Sequence, residues 1–215
     1  MKWRLFIPFV NRRDLLEQAL RSIRISPADL IVIDNSDHRV LYGDETFRAQ
    51  HNVICAPVPL FTAQTMNYII GIANSLELDV FFYMHNDAEV VGNGFQDFLS
   101  LIPGLPNNWG VAFTNYDTLV AFNMMAVRKV GLWDWVRFPQ YFADTDYYHR
   151  VRLSGFETIW VDIEVIHHGD GSNTIRSDKA RMHIANVLSK AYYKLYRHKW
   201  GGKPEHERLV EPRMF

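Results

Sequence analysis

The chain has 215 residues and a formal net charge of −1, from 23 Lys and Arg against 24 Asp and Glu, which gives no whole-molecule electrostatic case for nonspecific binding to nucleic acid or membrane. At 48% hydrophobic and 14% aromatic it can fill a sizeable core, which argues against a low-complexity disordered chain and suits one ordinary domain, or one domain with a helical appendage. The single cysteine, Cys55, excludes an intrachain disulfide. It fits a reducing compartment as an inert core thiol. No run reaches the roughly 18 apolar residues of a membrane span, and the N-terminus lacks a secretory h-region, so the expected location is cytoplasmic.

In chain order, Trp3 to Phe9 reads as a buried strand closed by Pro8. A helix follows, with Asn11 the expected cap and Leu15, Leu16, Ala19, Leu20 and Ile23 at helical spacing. Leu30 to Asp34 is a continuous apolar run that ends in an aspartate and the turn Asn35-Ser36-Asp37. Continuous apolarity indicates a strand buried on both faces, as in a parallel sheet. Val53 to Ala56 is a third strand. Thr62 is placed to cap a helix whose Met66, Ile69, Ile70, Ala73 and Leu76 form one stripe. The strand Asp79 to Met84 then completes a β-α-β-β-α-β order, which argues for a mostly parallel α/β sheet.

The second half reads as strands over Trp109–Thr114 and Thr118–Val127, an aromatic loop around Trp133 and Trp135, and a helix over Tyr147–Ser154 stopped by Gly155. Short strands at Thr158–Val161 and Glu164–Ile166 lead into His167 and His168. A long helix is expected from Asp178 to Lys199, burying Ile184, Val187, Leu188, Ala191 and Leu195, with Lys190, Lys194, Arg197 and Lys199 on a solvated face. The tail from Gly201 to Phe215 either packs on the surface or reaches back over the site. With no repeat or linker, residues 1–215 form one domain: a nucleotide-binding half (1–90), an acceptor and catalytic half (91–176), and a C-terminal helix and tail (177–215).

Chemistry concentrates at the end of the fourth strand, where Phe81 to Met84 gives way to His85-Asn86-Asp87. In an α/β sheet, ligands collect at the carboxyl ends of the strands, and an aspartate there suits a divalent cation held against a phosphate. A second acidic group, Asp144 and Asp146, and the histidines at 167 and 168 add to it.

In that order these motifs resemble the family-2-like glycosyltransferases of the GT-A fold, in particular their rhamnosyltransferase-like branch. Ile7-Pro8-Phe9-Val10-Asn11-Arg12 is similar to the family's opening strand and turn, and Val32-Ile33-Asp34-Asn35-Ser36 to its second strand end. His85-Asn86-Asp87 stands where the metal motif stands. Phe142-Ala143-Asp144-Thr145-Asp146-Tyr147, with Arg150 and Gly155, resembles the acidic motif on the catalytic helix. His167 to Ser172 resembles the family's histidine motif, and Lys199-Trp200-Gly201-Gly202 the segment after the last helix. Two positions depart from the pattern: His85 replaces an acidic or amide residue, and Ala143 replaces a glutamate.

The resemblance implies a Rossmann-like GT-A domain that moves a sugar from a nucleoside-diphosphate donor to a hydroxyl acceptor with inversion, using Mn2+ or Mg2+. It implies Asp87 and His167 as metal ligands and Asp144 as the base that deprotonates the acceptor. Pro8, Asn11, Asp34, Asn67, His85 and Asn86 would line the nucleotide crevice, and Asp146 and Trp133 would lie on the acceptor side. Asp146 has a second reading as an i, i+4 partner of Arg150, and Trp133 has one as a packing residue. The expected partners are the nucleotide sugar and a glycan or other polymeric acceptor, nucleic acid not being excluded. Two alternatives stand beside this: a non-catalytic nucleotide- or glycan-binding domain of the same fold, and a nucleotidyltransferase, although Val10-Asn11-Arg12-Arg13 lacks the glycine of a triphosphate loop.

Overall fold

The computed structural model describes residues 1–168 and 179–213; Ser172 of the histidine motif, the expected helix start at Asp178 and the apolar Phe215 lie outside them. Seven strands form the main sheet: β1 (Trp3–Phe9), β2 (Leu30–Asp34), β3 (Val53–Cys55), β4 (Val80–Met84), β6 (Trp109–Phe113), β7 (Leu119–Asn123) and β8 (Glu157–Trp160). Their spatial order is β3-β2-β1-β4-β7-β6-β8. Strands β3, β2, β1 and β4 pair in parallel, β7 runs antiparallel between β4 and β6, and β8 is parallel to β6. This is the mostly parallel α/β sheet that the apolar runs imply.

The chain winds outward from β1 to β2 and β3, then returns to the other flank of β1 as β4. That reversal opens a crevice beyond the carboxyl ends of β1 and β4, where α/β sheets bind ligands. A separate two-stranded ribbon pairs β5 (Ala88–Val90) with β9 (Val165–His167) in antiparallel register, setting Ala88 opposite His167.

Alternate residues of the strands feed two cores. Leu5, Ile7, Phe9, Val32, Phe82 and Met84 pack with Leu16 and Ala19 of α1 (Arg13–Ser22) and with Phe95 and Phe98 of α4 (Gly94–Leu101). Phe6, Ile31, Ile33, Phe81 and Phe122 pack with Met66, Ile69, Ile70 and Ala73 of α3 (Thr62–Ser75) and with Tyr147 of α6 (Ala143–Leu153). A short α2 (Glu45–Gln50) follows β2, and Asp44 caps it at 3.0 Å from the Phe47 amide.

Several boundaries differ from the sequence reading. Asn11 does not cap α1, whose N-cap position is Arg12 without a side-chain cap. Thr62 is the first residue of α3 and not its cap; Gln64 Oε1 accepts from the Phe61 amide instead, at 3.0 Å. The apolar stretch from Thr118 to Val127 is not one strand. Asn123 Oδ1 accepts from the Met125 amide at 3.0 Å and starts α5 (Met124–Val130). Helix α6 begins four residues earlier than expected, at Ala143, and ends before Gly155, whose φ of +84° suits glycine. Gly110 lets α6 lie close on β6, since a Cβ there would stand 2.7 Å from Val151 Cγ1 and 2.9 Å from Phe156 Cβ.

The last helix, α7 (Lys179–Trp200), keeps the expected Leu195 against the core but turns other positions of the expected face outward. Val187 and Ala191 are exposed, while Ala185, Tyr196, Lys199 and Trp200 are buried. Lys199, expected in solvent, is only 3% exposed. Its ammonium lies 2.6 Å from Asp146 Oδ1 and 2.8 Å from Asp134 Oδ2. Asp146, fully buried, also accepts from Trp200 Nε1 at 2.8 Å and from Arg150 Nε at 3.0 Å. After Gly201 and Gly202 the tail folds back on α7, its Arg208 and Leu209 amides donating to the Trp200 carbonyl and the Arg213 amide to the Lys199 carbonyl. These bonds satisfy carbonyls that a helix end leaves without an internal partner. A Cβ on Gly202 would sit 1.9 Å from the His206 carbonyl oxygen, so this reversal needs glycine.

Lys199→Met leaves Asp146 and Asp134 short of a cation in the interior. Breaking a buried pair in this way costs about 3–5 kcal/mol. Urea denaturation is expected to show a lowered midpoint with an unchanged m-value.

Candidate active site at the sheet switch point

The crevice is built from the turn after β4, the β5–β9 ribbon and the start of α6. The His85 amide donates to the Thr118 carbonyl at 3.0 Å and the Ala88 amide to the His85 carbonyl at 3.2 Å, which fixes the short turn from β4 into β5. The ribbon register delivers His167 beside that turn. Its Nε2 lies 3.1 Å from Asp87 Oδ1, across eighty residues of sequence. His85 Nδ1 is 3.9 Å from the same oxygen, and the two imidazoles meet edge to face at 4.9 Å.

One ligand atom from each of His85, Asp87 and His167 falls within a 4.8 Å cluster, so the three could hold a metal ion. Burial and the neighbouring His167 push the His85 imidazole down to about 4 despite the attraction of Asp87. It is therefore neutral at pH 7, the form that ligates metals. Burial alone would raise Asp87, but the His167 bond and the two nearby imidazoles bring it below its ordinary value. His168 points elsewhere and pairs with Glu89 Oε2 at 3.0 Å; Glu89 also accepts from Gln18 Nε2 at 2.6 Å. Arg12, held by Asp14 at 2.6 Å, lies close enough to Asp87 for that charge to help raise its guanidinium.

Asp144 lies in the first turn of α6 and is half-buried. Its Oδ1 accepts from the Thr145 amide at 2.7 Å and from the Thr145 hydroxyl at 3.3 Å. Burial outweighs these bonds and raises its pKa above the ordinary carboxylate value. Phe142, just before the helix, has a left-handed φ of +62° and packs between Tyr193 and Tyr196 of α7. Backbone strain of this kind persists only where the surroundings enforce it.

A residue that the sequence reading passed over completes the group. Asp117 sits in the turn between β6 and β7 at φ +56°, a conformation that a short polar side chain tolerates. It is raised to about 7 by burial first and by Asp144 second, against the opposing pull of the nearby Tyr148 hydroxyl. Tyr83, at the end of β4, is raised by burial first and then by the charges of Asp87, Asp117 and Asp144. The only sequence signal for Asp117 was a polar turn between two apolar strands.

Other expected site residues are placed differently. Asp34 is buried, and its two oxygens accept from the Ser36 amide and hydroxyl at 3.1 and 2.6 Å and from the Leu41 and Tyr42 amides at 2.8 Å each. A carboxylate has about four acceptor sites, so Asp34 is committed to its own loop. Asn67 clamps the Trp133 backbone, donating to its carbonyl at 3.0 Å and accepting from its amide at 2.8 Å. Trp133 is buried and stacked on Tyr147 at 4.8 Å, whereas Trp135 is exposed. Asp146 does not face the crevice and takes the Arg150 pairing. Pro8, Asn86 and Asp87 are buried, and Asn11 is exposed.

No protein-family model and no curated protein matches the chain. Solved structures do. The mannosyltransferase PcManGT of Pyrobaculum calidifontis, solved with GDP-Man and Mn2+, matches with a TM-score of 0.60 at 13% identity, over 88% of this chain and 64% of that one. GalNAc-T7, solved with UDP, GalNAc and Mn2+, gives 0.61 at 12% identity, over 78% and 44%. S. aureus TarS in complex with UDP-GlcNAc gives 0.56 at 11%, over 75% and 56%. The fold is GT-A-like. The chain spans between 44% and 64% of the length of these three structures, and at such identities the likeness is one of architecture. Among the described residues no helix is long and apolar enough to cross a membrane.

Two outcomes are expected from this geometry. Asp34→Ala removes all four acceptor contacts of the loop, at about 1.5–3 kcal/mol for a bond to a charged group, and the melting temperature falls; a base-binding Asp34 would show unchanged stability and lost nucleotide affinity. Asp117 titrates near 7 folded against an ordinary 3.8, so between those values the folded state binds the extra proton. Its contribution to stability is full below pH 3.8 and declines as pH rises to 7. Subtracting the stability–pH curve of Asp117→Asn from that of the unmodified chain isolates this downward slope.

Proposed function

We propose that the chain is a metal-dependent glycosyltransferase that moves a sugar from a nucleoside-diphosphate donor to a hydroxyl acceptor with inversion. The observation that carries this reading is the His85–Asp87–His167 group at the sheet's switch point. The Mn2+ and nucleotide ligands of the GT-A neighbours support it. The inverting course and the rhamnosyltransferase-like branch rest on the sequence motifs.

Two imidazoles and one carboxylate fit Mn2+ better than Mg2+, which prefers an all-oxygen shell. Bound there, the ion would act as a Lewis acid on the donor diphosphate. Asp87, the neutral imidazole of His85 and the imidazole of His167 hold that end of the crevice, and Arg12 adds a positive charge toward the leaving phosphate. Pro8, Asn11 and Asn86 line the nucleotide side; Asp34 and Asn67 shape its walls through the loops they fix. Asp144 takes the proton of the acceptor hydroxyl while that oxygen bonds to the anomeric carbon. The bond from that carbon to the diphosphate oxygen breaks, and its electron pair leaves with the nucleotide. Burial raises Asp144, which makes it a better proton acceptor than an exposed aspartate.

The test is incubation with UDP-, GDP- and dTDP-sugars with Mn2+ or Mg2+, reading nucleotide release. Turnover with Mn2+ exceeding that with Mg2+ is expected. Asp87→Asn, at a strand end, keeps the fold and loses Mn2+-dependent nucleotide affinity by calorimetry. Asp144→Asn retains that affinity and lowers turnover by about 10²–10⁴-fold, the usual contribution of a general base. Unchanged Mn2+-dependent binding in Asp87→Asn would remove the metal assignment, and full turnover in Asp144→Asn would remove the base.

A further inference from the structure

Three side chains beside the crevice form a hydrogen-bonded row that the reaction above leaves unused. Glu89 of β5 stands at its centre. Gln18 Nε2 of α1 donates to Glu89 Oε2 at 2.6 Å, and His168 Nε2 lies 3.0 Å from the same oxygen. These contacts span 71 and 79 residues of sequence, so one carboxylate ties together α1, β5 and the end of β9. Backbone bonds run alongside the row. The His168 amide donates to the Asp87 carbonyl, and the Val90 amide to the Ser22 hydroxyl of α1, at 3.0 Å each.

Each tied segment also carries a residue of the candidate site. His168 follows His167 directly, Glu89 comes two positions after Asp87, and α1 starts immediately after Arg12. The ribbon register sets Ala88 opposite His167 and Glu89 opposite Ile166. Successive side chains of an extended chain point to opposite faces. His167 accordingly turns to Asp87 at 3.1 Å, while His168 turns away to Glu89. A slip of one residue would exchange those faces and bring His168 to Asp87. Both residues are histidines, so side-chain type does not decide which of them meets Asp87. The bond to Glu89 does.

We infer that Glu89, steadied by Gln18, is a positioning residue for the metal site: by holding His168 it sets the register in which His167 meets Asp87. This rests on the metal-dependent reading above and names what aligns one of its ligands. Glu89 itself lies outside the His85–Asp87–His167 group and acts through the ribbon. The Glu89 and His168 side chains keep 33% and 25% of their exposure, and partly exposed pairs add little to global stability. Their loss is therefore read in metal affinity more than in melting temperature.

The experiment titrates the full chain with Mn2+ alone and reads free Mn2+ by electron paramagnetic resonance. Glu89→Ala is expected to weaken Mn2+ binding by about tenfold, at the lower end of the usual loss when an outer contact that orients a ligating histidine is removed. The melting temperature without metal changes little. Glu89→Gln, which loses the charge but keeps an oxygen for His168, restores most of the affinity. In a His167→Ala background Glu89→Ala produces no further loss, because the ligand that it aligns is gone. Should circular dichroism show Glu89→Ala misfolded, His168→Phe removes the other end of the same bond and is expected to weaken Mn2+ to a similar degree. Unchanged affinity in the folded variant would overturn the positioning role and leave the metal site standing. So would a Glu89→Gln chain as weak as Glu89→Ala, or an equal loss in the His167→Ala background, since either result makes the effect one of charge alone. No Mn2+ binding by the unmodified chain would overturn the metal site and the positioning role together.

Discussion

The carboxylate of Asp146 holds the second half of the molecule together. Sealed from solvent, it gathers Lys199 and Trp200 from the last helix and Arg150 from its own helix. Lys199 extends the network to Asp134, in the loop that Asn67 of α3 clamps from the other side. Taking charges out of water costs several kcal/mol per ion, and only near-complete hydrogen bonding returns it. Here both Asp146 oxygens are bonded, while among the described residues Arg150 Nη2 is buried without a partner, so the arrangement works as a registration device: α3, the aromatic loop, α6 and α7 meet in one relative position. Asp144 lies two residues away on the same helix, and its direction into the crevice follows from that position.

The sheet was legible in the sequence because its strands are continuous apolar runs and the helix stripe from Met66 to Ala73 has a clean period. The change from β7 to α5 was not, since Leu119 to Val127 is apolar except at Asn123, and only the cap that Asn123 forms on folding divides it. The inward face of α7 was misread for an electrostatic reason. Pattern arguments send lysine to solvent, yet Lys199 is drawn in by two aspartates 53 and 65 residues away, as the difference in residue numbers shows.

Within the site, residues that act through their own type at a strand end were visible: Asp87 and His167, expected as metal ligands, do converge, and His85, expected on the nucleotide side, joins them. Residues whose role depends on what else bonds to them were not. Asp34 looks like a ligand until the amides of its own turn are counted. Asp117 looks like a turn residue until the fold sets it beside Asp144. Trp133 and Trp135 are indistinguishable by composition, and only the Asn67 clamp decides which of them turns inward.

The ribbon of β5 and β9 has a consequence for how a bound ion would come and go. Each of its strands is three residues long, and an isolated pair of that size is marginal in water. Segments of this kind open with a free energy well below that of global unfolding. Opening the ribbon would withdraw His167 while His85 and Asp87 stayed on the turn after β4, leaving two donors in place of three. A cation spanning the triad would close a loop of eighty residues, the separation of Asp87 and His167, and so act as a removable clasp between the two halves of the chain. Its residence time would then be governed by the fraying of six ribbon residues, not by the stability of the sheet behind them.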